Sequence, residues 1–110
     1  MRLYRVTRGN PPTENDMRSH WDLGIRPANP RSDAAFKEVS TFDTPEAAAA
    51  KALARNLGEY VAELEVPDET PRSYTPSTGH TGLQGTTPAQ LLTYIRDVRR
   101  VDDILAPPVD

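Results

Sequence analysis

The stretch from Phe36 to Val66, FKEVSTFDTPEAAAAKALARNLGEYVAELEV, constrains the fold more than any other. It reads as strand, helix, strand, with a physical cause at each boundary. Thr44 offers a side-chain oxygen to the free N–H groups of the next turn, and Pro45 presets φ where no intrahelical N–H is needed. Glu46 places negative charge at the positive end of the helix dipole. The run Ala47 to Ala50, then Ala52, Leu53 and Ala54, has high helix propensity, and Gly58 is expected to close the helix in a left-handed conformation. Beyond it Tyr60, Ala62, Leu64 and Val66 alternate with Val61, Glu63 and Glu65, the pattern of a strand with one buried face. Pro67 stops that ladder.

Composition sets the frame around this unit. At 110 residues the chain suits a single domain spanning 1–110. Hydrophobic residues make up 36% and prolines number 11, which predicts a small core and long ordered loops. A net charge of −3 without long runs of one sign argues against general nucleic-acid affinity, which needs a basic face. Cysteine is absent, which excludes disulfides and thiolate sites. No apolar run has the length of a signal peptide or a membrane span, so the expectation is a soluble cytoplasmic protein with no membrane partner.

In chain order, Arg2 to Thr7 is expected as the first strand, with Tyr4 and Val6 on one face and Leu3 and Arg5 on the other. Thr13 to Asp16 reads as a helix start in capping-box style, with Met17 and Trp21 sharing a face and Gly24 closing the helix. Ile25 to Asp33 is a loop, because each residue before proline avoids α geometry. Residues 67–79, PDETPRSYTPSTG, read as a mobile flap or binding loop, and His80 to Gln84 as a short strand. Thr87 and Gln90 form a second capping box, followed by a helix burying Leu91, Leu92 and Ile95. Val98 and Val101 mark a last strand, and the tail 102–110 is expected to be mobile. The prediction is an α+β domain, a small mixed or antiparallel sheet of about five strands with three helices packed on it.

The polar residues on strands each carry two readings. Arg5 shares a face with Leu3, so it is either a solvated or ion-paired side chain or a bidentate contact to phosphate or carboxylate. Ser40 and Thr41 either bond backbone and water, or sit beside a ligand packed on Phe36 and Phe42. No nucleophile-elbow glycines surround Ser40. His80 and Gln84 share a face with Gly82 between them, marking either a bulge or a close approach of ligand or backbone. His20, Asp22 and His80 match no metal-ligand spacing, so no metal site is predicted.

The strand YRVTRG, the VSTF strand running into an Ala-rich helix, and the strand YVAELEVPDE resemble the layout of the ADP-ribosyltransferase superfold. The nearest likeness is to its small RES-domain and related NAD-consuming branches, including toxin-type enzymes. There, an Arg or His on the first strand contacts NAD, a Ser-Thr or Tyr strand lines the nicotinamide pocket, and a late strand brings an acidic or amide catalytic residue. Carried over, the resemblance makes Arg5, Ser40 and Gln84 the catalytic set, and Arg5, Ser40, Thr41, Tyr60 and His80 the contacts to NAD. Tyr74 is a further stacking candidate. The chain departs from the pattern where Gln84 replaces a carboxylate, and the helix reads AAAAKALARN without the glutamate of RES domains. Either Glu63 or Glu38 then supplies the acid, or the pocket binds without turnover.

The rival expectation is a non-catalytic protein-interaction module, such as the partner of a toxin or phage operon, docking through the 67–79 loop or an edge strand. The discriminating geometry is whether Arg5, Ser40 and Gln84 line one concave site.

Overall fold

Six strands, all paired antiparallel, lie in the order β4-β5-β2-β1-β3-β6 in the computed structural model, which describes residues 1–107. The strands are β1 (Arg2–Thr7), β2 (Val39–Phe42), β3 (Tyr60–Glu65), β4 (Arg72–Thr75), β5 (His80–Leu83) and β6 (Ile95–Arg100). Four α-helices complete the domain: α1 (Asp33–Lys37), α2 (Pro45–Arg55), α3 (Pro88–Thr93) and α4 (Val101–Leu105). The α+β class is as expected, with one more strand and one more helix than the sequence suggested. Among the described residues no helix is long and apolar enough to cross a membrane.

The core lies on both sides of the sheet. One cluster joins Leu3, Val39, Ala62, Leu64, Val66 and Leu83 to Met17 and Leu91. The other joins Phe42 and Val61 to Ala48, Ala49 and Ala52 of α2 and Val101 of α4. β3 is therefore buried on both faces, through Ala62 and Leu64 on one and Val61 on the other. That corrects the expectation of one buried face. The second face is covered by α2, with α4 packed on α2 and bringing Val101 into the same cluster. Val101 was expected on the last strand and 102–105 in the tail, but both belong to α4. The rest of that tail, 108–110, lies outside the described residues.

Local chemistry explains α2 in detail. Thr44 Oγ1 accepts from the Ala47 N–H at 3.1 Å, and Pro45 stands in the first turn. The left-handed residue closing the helix is Asn56, at φ 52°, and not Gly58. Gly58 serves a different need: a Cβ there would lie 2.4 Å from the Thr7 carbonyl oxygen, so only glycine admits this backbone approach. The buried side of α2 is entirely alanine, which lets the helix sit close on β1 and β3.

Three further expectations are revised. Phe36 belongs to α1, so β2 begins only at Val39 and Phe36 does not share the Ser40 face. The expected helix after Thr13 is a single 3-10 turn, Glu14–Met17, in which Asp16 Oδ2 accepts from the Thr13 N–H at 2.9 Å. Met17 is buried there, while Trp21 falls in a separate turn closed by Gly24 at φ 81°. Residues 67–79 contain β4, which forms a hairpin with β5. The second capping box is as expected, with Thr87 Oγ1 accepting from Gln90 N and Gln90 Oε1 accepting from Thr87 N.

Candidate functional site

Arg5 projects from the β1 face that carries Leu3 and Thr7, and its donors are already engaged. Nε donates to the Asp16 carbonyl at 2.7 Å, Nη1 to the Ser40 carbonyl at 2.7 Å and Nη2 to the Arg18 carbonyl at 3.0 Å. Burial pushes the guanidinium down to about 10, partly opposed by the Asp16 carboxylate. It therefore stays charged at neutral pH, with backbone oxygens replacing water. Asp16 is itself tied down, its Oδ1 accepting from the Arg8 N–H at 2.8 Å. Arg5 thus clips the 13–24 segment to the centre of the sheet. It is a positioning residue and presents no free fork to a ligand.

On the opposite face the β2–β5 register sets Ser40 across from Gly82 and Phe42 across from His80. Ser40 Oγ and His80 Nε2 share a hydrogen bond of 3.1 Å, its donor depending on the imidazole tautomer. The Phe42 ring meets His80 edge-on, with centroids 5.6 Å apart and planes at 79°. At Gly82 there is neither a bulge nor an approach of backbone, the two structural readings of a glycine there, but an approach of side chains. The approaching group is the carboxylate of Glu38, which lies where a Cβ would stand and accepts from Ser73 Oγ at 2.5 Å.

Beside this pair an open groove of about 520 Å³ runs between α2 and the β4–β5 hairpin. Phe42 and His80 form part of its wall, with Ala47, Ala50 and Ala54 along the helix side. Lys51, Thr75 and Thr78 supply its polar groups. It is an open surface groove rather than an enclosed cavity, with an apolar wall and a few polar groups at its rim.

The other expected site residues lie elsewhere. Thr41 is buried in the sheet, its hydroxyl donating to the Thr81 carbonyl at 2.7 Å. Tyr60 stands at the end of β3, opposite Thr7 and Arg100, with β1 between it and β2. Gln84 falls past the end of β5, exposed, its N–H bonded to the Pro71 carbonyl at 2.9 Å. Tyr74 is exposed and donates to Asp43 Oδ2 at 2.7 Å, a bond that holds its phenol above the usual range. Glu63 accepts from Tyr4 OH at 3.4 Å, away from the groove. His20 stacks on Phe36 at 5.3 Å, and no group of three or more potential ligands among the described residues is placed to hold a metal.

Arg5, Ser40 and Gln84 therefore do not line one concave site, and the discriminating geometry goes against the catalytic set that the resemblance implies. The fold instead unites Ser40 with His80 and joins Arg5 to Ser40 only through the backbone, from the other face. Sequence reasoning missed Lys51, Thr75 and Thr78 as groove residues. The available signal was the helix: Ala47, Ala50 and Ala54 recur at helical spacing opposite Ala48, Ala49 and Ala52, so α2 offers a small-residue surface on two sides.

Together these features define a six-stranded antiparallel α+β domain with a Ser–His pair at an open groove. No protein-family model, curated protein or solved structure matches the chain.

Proposed function

We propose that the domain binds NAD or a related nucleotide in the groove between α2 and the β4–β5 hairpin. The observation that carries this reading is His80, hydrogen-bonded to Ser40 behind it and set against Phe42, at the wall of a groove about 520 Å³ in volume. An aromatic wall suits a nucleobase or nicotinamide ring. The imidazole, oriented by Ser40, and the hydroxyls of Thr75 and Thr78 supply polar partners for a carboxamide or ribose, and Lys51 supplies a cation for phosphate. In this arrangement Arg5 positions Ser40 through its carbonyl, and Gln84 plays no part. Cleavage of the ligand would fall to Glu38, the carboxylate two residues from Ser40, which Ser73 already holds. A cytoplasmic location, where such nucleotides are plentiful, accompanies the reading.

Thermal melts with NAD, ADP-ribose, AMP and nicotinamide test it. A ligand at 100 times its Kd stabilises by about 2.7 kcal/mol, a readily measured shift. Ser40→Ala and His80→Ala should each remove most of that increment while leaving the unliganded melt nearly unchanged. No shift with any adenine or nicotinamide compound contradicts the reading. It would favour the alternative of a protein-interaction module, which rests on β4: all four residues of this edge strand are exposed.

A further inference from the structure

The sheet ends in two unpaired edges, β4 and β6, and they are built differently. β4 has four residues and lies between Pro71 and Pro76, which blunt it against further pairing. β6 has six residues and no proline. Its exposed positions are Arg96, Asp97, Arg99 and Arg100, so three guanidinium groups stand on one edge of a chain whose net charge is −3. Arg100 reaches Asp102 at 3.8 Å, a pair exposed on both sides. Arg96 and Arg99 form no ion pair among the described residues. Asp102 and Asp103 follow on α4, so the basic character is confined to the strand.

We propose that the outer edge of β6 receives an acidic, extended segment of a partner protein. The segment adds as a further strand through main-chain hydrogen bonds and sets its carboxylates against Arg96, Arg99 and Arg100. Charge selects this occupant. In the centred antiparallel register a second copy pairing β6 against β6 would set Arg96 across from Arg99, and like charges facing across a ladder are destabilising. Arginines on an edge repel such self-pairing, and the same charges attract an acidic strand. The surface lies at the opposite end of the sheet from the groove and does not depend on nucleotide binding.

The test uses the full chain, isotope-labelled for amide NMR, titrated with a capped octaglutamate peptide, whose carboxylates meet arginines on both faces of the strand, and with its octalysine counterpart. The glutamate peptide should shift the amides of Ile95–Arg100, and the lysine peptide should not. The double variant Arg96→Glu, Arg99→Glu should weaken binding at least about tenfold, and about 0.3 M salt should weaken it as well. Arg72→Glu on β4 should leave it unchanged. Where melts show the charge reversal to disturb folding, Arg96→Gln with Arg99→Gln takes its place, with a loss of at least about threefold. The proposal is overturned by an absence of β6 shifts at millimolar peptide, by equal binding of the lysine peptide, or by undiminished affinity in the double variant. Sedimentation showing a dimer that either double variant dissolves would also overturn it, by assigning the edge to a second copy.

Discussion

β1 and β3 at the middle of the sheet are packed on both faces, whereas β4 at one end is exposed along its whole length. The central strands meet α2 on one side and Met17 with Leu91 on the other. β5 is anchored by its ladder to β2 and by Leu83 in the core, whereas β4 is held only by its ladder to β5 and by single bonds, Ser73 to Glu38 and Tyr74 to Asp43. Burial is therefore concentrated at the centre, and the surface toward the hairpin is left open. Arg5 and Ser40 show the same division at one point of contact. Arg5 spends its donors on carbonyls to hold the centre, while the Ser40 hydroxyl on the other face reaches His80 beside the groove.

Leu64→Ala should break the centre. Leu64 is fully buried in β3, and the lost burial plus the cavity should cost about 3 kcal/mol, measured by urea unfolding. A cost below about 1 kcal/mol would mean that the two-sided packing is not what holds the sheet. Arg5→Ala comes next. It leaves the carbonyls of Asp16, Arg18 and Ser40 without their donor and should destabilise by about 2 kcal/mol. Arg5→Lys should recover little, since one ammonium cannot span three carbonyls that a guanidinium fork reaches. Full recovery by lysine would show that charge alone matters there.

Thr44→Ala sharpens the comparison on a smaller scale. Removing the cap oxygen of α2 should cost about 1 kcal/mol, read as a lower melting temperature. Thr87→Ala at α3 should cost a similar amount. An unchanged melt for either would place the helix start elsewhere.

What the sequence disclosed follows from how local each signal is. Both caps, the alanine helix and the extent of β3 are set by neighbours within a few residues, and they appear as expected, although β3 is buried on both faces. α1 was missed because Phe36 has strand preference, whereas Asn29 starts a turn locally, its side chain accepting from the Arg31 N–H. β4 was missed because RSYT has one large apolar side chain, the exposed Tyr74, and no alternation, and its strand exists through pairing with β5. The role of Arg5 depends on carbonyls, which every residue possesses and no sequence distinguishes. The Ser40–His80 contact spans 40 residues and depends on the β2–β5 register, so the residue types were visible but their meeting was not.

The central claim is that the ligand sits at the open side of the sheet, against Ser40, Phe42 and His80, and not around Arg5. Titration of the labelled protein with NAD, followed through its amide shifts, tests this most directly. The account predicts saturable shifts gathered at Ser40, Phe42, Ala50, Lys51 and His80, with the Arg5-clipped segment 13–24 undisturbed. Shifts centred on Arg5 and that segment, or none at millimolar NAD, would contradict it.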